Sequence, residues 1–80
     1  MSIAAVKKAF NEAAAPYAAN FCLMDTRQHD GTEWNILTFR GNGSDGNEFE
    51  IVSEPIPPGG SVIDVARATA VKLKDQKHED

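Results

Sequence analysis

His29, Asp30 and Glu33 fall close together in the sequence. An imidazole and two carboxylates at such spacing could hold a cation or relay a proton. A metal centre, however, needs convergent ligands and a layer of groups that orient them. A polar hairpin tip accounts for these residues more simply. His78 has no obvious partner, and no HExxH, paired CxxC or zinc-ligand spacing occurs. Cys22 is the single cysteine. It sits in an apolar strand without a basic neighbour in sequence, which fits a small hydrophobe better than a nucleophile. The run Gly41-Asn42-Gly43-Ser44-Asp45-Gly46 has the glycines of a phosphate cradle. It lacks the lysine, leads into a strand rather than a helix, and carries a carboxylate that repels phosphate. A calcium loop of the helix–loop–helix kind is not supported either, because the flanking helices and the terminal glutamate are missing. Gly59-Gly60-Ser61 opens a helix, but Asp64 already occupies that first turn, so the pattern is a cap. These residues predict no catalytic group, no metal and no cofactor.

Eighty residues bound one domain. A chain this short buries little over ~60% of its unfolded surface, so its stability is modest. The lone cysteine excludes an internal disulfide and fits a reducing compartment. Met1 to Ala15 is interrupted by Lys7, Lys8, Asn11 and Glu12 and has no continuous apolar core for export. No stretch approaches the ~20 apolar residues of a membrane span. A cytoplasmic location is the expectation. Hydrophobic residues make up 41% and charged residues 25%, which is ordinary for a folded soluble domain. The net charge of −4 works against a phosphate-binding surface.

The elements that would position these residues are helix, strand, strand, strand, helix. Ser2 to Ala15 is a predicted helix with the stripe Ile3, Val6, Phe10, Ala13, closed by Pro16. Tyr17 to Arg27 is an extended lead-in and strand, followed by turn residues 28–32. Trp34 to Arg40 is the second strand and Glu48 to Ser53 the third. Residues 54–60 hold three prolines and are expected to stay out of any ladder. Ser61 caps a second helix expected to reach about Lys74, with Val62, Val65, Ala66, Thr69, Ala70 and Leu73 on its buried side. Residues 75–80 are expected to fray. The fold class is therefore α+β, a single αβββα domain over residues 1–80, with an antiparallel meander and both helices on one sheet face.

The register of the first hairpin decides which side chains the helices cover. A three-residue loop His29-Asp30-Gly31 is the favoured arrangement. It sets Phe21 opposite Phe39, Leu23 opposite Leu37 and Met24 opposite Ile36. The second hairpin can then set Phe39 opposite Phe49, Leu37 opposite Ile51 and Arg40 opposite Glu48. The rival is a two-residue Asp30-Gly31 turn. It moves Cys22 and Met24 to the core and sends Phe21 and Leu23 outward, because a slip of one residue changes face. Phe10, Leu37, Phe39, Phe49, Ile51 and Leu73 form the expected core. Trp34, Ile36 and Val52 face away from the helices in both registers, with Met24 joining them in the favoured one.

The order helix, three antiparallel strands, helix resembles the double-stranded-RNA-binding domain, and Gly59-Gly60-Ser61 resembles the start of that family's second helix. That family grips phosphates with lysines opening the helix, where this chain has Val62, Ile63 and Asp64. Its basic residues come later, at Arg67, Lys72, Lys74 and Lys77. The resemblance covers the order of elements and almost none of the specific residues. Two functional expectations follow. The leading one is a non-enzymatic protein-interaction or accessory module that uses the open sheet face, with Met24, Trp34, Ile36 and Val52 contacting a second copy or another protein. The alternative is a nucleic-acid-associated protein using Arg67, Lys72, Lys74 and Lys77, which net acidity opposes. A short acidic chain of this kind also suits an accessory protein of a phage or mobile element.

Overall fold

A computed structural model describes residues 2–78. The order is α1 (Ile3–Ala14), β1 (Ala18–His29), β2 (Thr32–Asn42), β3 (Glu48–Val52) and α2 (Val62–His78). The strands form one antiparallel sheet in the order β1-β2-β3. The α+β, αβββα arrangement is the one the sequence implies.

Both helices cover one face. Val6, Phe10 and Ala14 of α1 and Ala66, Ala70 and Leu73 of α2 share a core with Leu37, Phe39, Phe49 and Ile51. Phe10 stacks on Phe39 at 4.0 Å between ring centroids, and Tyr17 meets Phe49 edge-on. All six expected core residues are buried together. The stripe on α1 lies slightly off its expected line. Ala9 and Ala14 are buried, whereas Ile3 at the first turn is exposed. Ser2 caps α1 by accepting from the Ala5 N–H at 3.2 Å, and Ser61 caps α2 through the Asp64 N–H at 3.2 Å. α2 does not stop near Lys74. It continues to His78, so residues 75–78 are helical, and residues 79–80 of the expected tail lie outside the described residues.

The first hairpin adopts the rival register. His29 pairs with Thr32 across a two-residue turn, Asp30-Gly31. Both turn residues have positive φ, 51° and 74°. This is the I′ type of turn, whose twist matches that of the flanking strands. Phe21 therefore faces Arg40, Leu23 faces Thr38, Cys22 faces Phe39 and Met24 faces Leu37. Phe21 and Leu23 leave the core, and Met24 leaves the open face. A bulge between Ala19 and Phe21 then shifts the register at the far end of β1.

The second hairpin is displaced by two residues from expectation. Phe39 pairs with Ile51, Gly41 with Phe49 and Arg40 with Glu50 rather than Glu48. The strands run on to Asn42 and Glu48, which leaves a shorter loop, 43–47. A shift of two keeps every side chain on its face. The proline segment also differs. Ile56 bridges Asn35 through two backbone hydrogen bonds, Asn35 N–H to the Ile56 carbonyl at 2.9 Å and Ile56 N–H to the Asn35 carbonyl at 2.7 Å. The prolines at 55, 57 and 58 flank Ile56 and spare its N–H, so one residue can join the sheet. Its side chain is fully buried.

Candidate functional site: the open sheet face

Strand alternation assigns the face that the helices leave bare. Even-numbered residues of β2, Trp34, Ile36, Thr38 and Arg40, point away from the core residues Leu37 and Phe39. The register adds Phe21, Leu23, Asp25, Arg27 and His29 from β1, and Val52, Glu50 and Glu48 from β3. Of the expected contact residues, Trp34, Ile36 and Val52 are on this face. Met24 is on the opposite one and is 37% exposed. Phe21 and Leu23 take its place. The turn chemistry of Asp30-Gly31 was the signal that could have found them.

The face is apolar along its middle and charged at its margins. Leu23 is 44% and Val52 47% exposed. Phe21, Trp34, Ile36 and Thr38 are half-buried by their neighbours. At one end the Arg40 guanidinium lies over the Phe21 ring, 4.0 Å from its centroid, and reaches Glu50 at 3.6 Å. This pair is solvent-exposed and adds little stability. At the other end Trp34, Ile36, Pro55, Arg27, Gln28 and His29 line an open cleft of about 320 Å³. His29 meets Trp34 edge-on, with ring centroids 6.0 Å apart, and its Nε2 is 3.4 Å from Asp30.

Two side-chain hydrogen-bond systems brace the sheet, and neither was evident from sequence. The Asn11 amide bonds both backbone groups of Ala19, donating to its carbonyl at 3.0 Å and accepting from its N–H at 2.7 Å. It thereby ties α1 to the bulge, where the ladder is interrupted. Ser53 is buried. Its hydroxyl accepts from the Leu37 N–H and donates to the Glu54 carbonyl, both at 2.9 Å, while its own N–H bonds the Leu37 carbonyl. Close approach matters at Gly41, where a Cβ would drive into the Ala18 carbonyl and the Ala19 Cα. Among the described residues no buried side-chain polar atom lacks a partner.

The other candidate groups stay apart. His29, Asp30 and Glu33 form no convergent cluster, and no set of three or more His, Cys, Asp or Glu able to hold a metal occurs among the described residues. Cys22 is half-buried against the core, and burial pushes its thiol up, partly opposed by Lys7. The glycine-rich loop is a closed polar turn. The Asp45 carboxylate accepts from the Asn47 backbone N–H at 2.9 Å and from its side chain at 3.0 Å, which holds Asp45 below the usual carboxylate range.

The basic residues of α2 do not make one patch. Arg67 pairs with Asp64 at 3.6 Å, and Lys72 reaches Glu54 at 3.9 Å across the β3 side. Lys74 and Lys77 lie on another flank, beside Pro16, Tyr17 and Asp75. No helix among the described residues is long and apolar enough to cross a membrane.

No protein-family model, curated protein or solved structure matches this chain. The likeness to the double-stranded-RNA-binding domain therefore rests on the order of elements, and an order of elements does not carry a function.

Proposed function

We propose that this chain is a non-enzymatic protein-interaction module whose docking surface is the open sheet face. The observation behind this reading is the apolar group Phe21, Leu23, Trp34, Ile36 and Val52, left uncovered on the face opposite both helices. Its partner is a protein surface with a complementary apolar centre, most simply a second copy of the chain. Removing such a group from water contributes about 25 cal/mol for each Å² of apolar surface, less the cost of association. The charged margin of Asp25, Arg27, Arg40, Glu48 and Glu50 would orient the partner rather than drive its binding.

The test is a pair of substitutions on this face, Trp34→Ala and Ile36→Glu, followed by sedimentation and tryptophan fluorescence. The reading expects weaker association with the fold retained. The alternative, nucleic-acid association through Arg67, Lys72, Lys74 and Lys77, has less support. Arg67 and Lys72 face carboxylates, and the four do not share one flank. A salt titration against duplex RNA and DNA decides between the two. The module reading expects no specific complex at physiological salt. A sub-micromolar complex that weakens steeply with salt would favour the alternative.

A further inference from the structure

The edge of β1 is a second and different surface. The ladder shows which of its backbone groups are free. Asn35 and Leu37 direct both their N–H and their C=O groups to the β3 side, towards Ile56 and Ser53. Thr26 stands opposite Asn35, and Met24 opposite Leu37. Neither can bond those residues, so their N–H and C=O groups point away from the sheet. Gln28 follows by alternation. Residues 23–29 are all exposed, and β1 contains no proline or lysine. The one bulge lies at the other end of the strand. An edge of this length with free rungs is open to pairing with another strand.

The charges on this edge select a partner. Asp25 and Arg27 stand on either side of Thr26 on the same face. We infer that β1 pairs antiparallel with β1 of a second copy about a two-fold axis through Thr26. In that register Thr26 meets the partner's Thr26, and Met24 meets the partner's Gln28, each through outward-facing backbone groups. Asp25 falls opposite the partner's Arg27, and Arg27 opposite the partner's Asp25, in the non-bonded positions where side chains approach most closely. An axis through Met24 would instead set Asp25 against the partner's Leu23 and Arg27 against the partner's Phe21. An axis through Asp25 or Arg27 would oppose like charges. Of these registers only the one through Thr26 pairs the two charges. The product is a continuous six-stranded sheet whose two open faces lie side by side, as an isologous contact requires.

This inference concerns the edge and stands apart from the face reading; because Asp25 and Arg27 also lie on the open face, the outward amides of Met24, Thr26 and Gln28, which only edge pairing protects, separate the two. Asp25→Arg and Arg27→Asp are both exposed substitutions that leave the core untouched. Each places like charges in both cross-strand pairs and should weaken self-association by on the order of ten- to a hundredfold. An equimolar mixture of the two single variants restores opposite charges at every pair, so it should dimerise like the wild type. In the wild-type dimer, amide exchange at Met24, Thr26 and Gln28 should be slow, and in either single variant fast. Asp25 and Arg27 amides, bonded within the chain, should be protected in both. A wild type that sediments as a monomer at every attainable concentration overturns the inference. So does dimerisation unaffected by either substitution, a mixture that stays monomeric, or a dimer in which the three outward amides exchange freely. A dimer lost in Ile36→Glu but unchanged in the charge variants would leave the face reading standing and remove this one.

Discussion

The two faces of β2 are made by the same eleven residues and have opposite fates. Leu37 and Phe39 are buried under the helices and Gly41 is buried against Ala18 and Ala19, while Trp34, Ile36, Thr38 and Arg40 look the other way and remain half-buried or exposed. Both faces carry large apolar groups. What distinguishes them is cover: Phe10, Ala66, Ala70 and Leu73 lie over one side, and neither helix lies over the other. Substitution on the covered face should therefore be read in stability, and substitution on the open face in association.

The largest effect belongs to Phe39. It is fully buried and stacked on Phe10. Phe39→Ala should cost about 3–5 kcal/mol, and Leu37→Ala about 2–5 kcal/mol, in denaturant titration. In a domain this small either loss is enough to unfold much of the population. A midpoint that hardly moves would erase the distinction between the faces. Asn11→Ala should come next. It strips both polar partners from Ala19 at the bulge, and a loss of about 1–3 kcal/mol is expected. Rapid amide exchange at Ala19 in that variant would sharpen the assignment of Asn11 as the tie between α1 and the sheet.

A smaller effect separates the faces chemically. Cys22 lies on the helix-covered side, and burial raises its thiol pKa. A folded-state pKa above the unfolded one contributes stability that is complete below the unfolded pKa. That contribution is lost as pH rises through the folded pKa. Alkylation of Cys22 at mildly alkaline pH should therefore be slower in the folded chain than in urea, and the gap should close as pH climbs. Equal rates in both states would place Cys22 in solvent, on the wrong side of the sheet.

Much of this contrast is legible in the sequence, for identifiable reasons. Alternation in Trp34 to Arg40 and in Glu48 to Val52 marks two faces whatever the pairing, so Trp34, Ile36 and Val52 could be assigned outward without a register. The four strand residues of the core, Leu37, Phe39, Phe49 and Ile51, could be chosen because their faces survive a shift of two residues. The first strand was different. Ala-Ala-Asn-Phe-Cys-Leu-Met alternates nothing, with apolar residues at successive positions from Phe21 to Met24. Its faces depend on the turn alone, and whether His29 belongs to the strand or the loop reverses them. Asp30 accepting a positive φ beside Gly31 settles it, which is a property of backbone twist rather than of hydrophobic pattern. Ile56 was hidden for another reason. Proline removes its own N–H, not that of its neighbour, so a single buried rung could sit inside a segment that looked like loop. Asn11 and Ser53 gave no local signal, since each is defined by a partner eight or sixteen residues away.

The most direct test of the contrast is the Ile36→Glu variant, followed in one experiment for both unfolding free energy and sedimentation. Ile36 is the immediate neighbour of Leu37 and lies on the other face. The account predicts a folded protein whose stability falls by less than about 1 kcal/mol, with association through the open face abolished. An Ile36→Glu chain that unfolds as Leu37→Ala does would mean that Ile36 belongs to a core, and that the open face is not a binding surface.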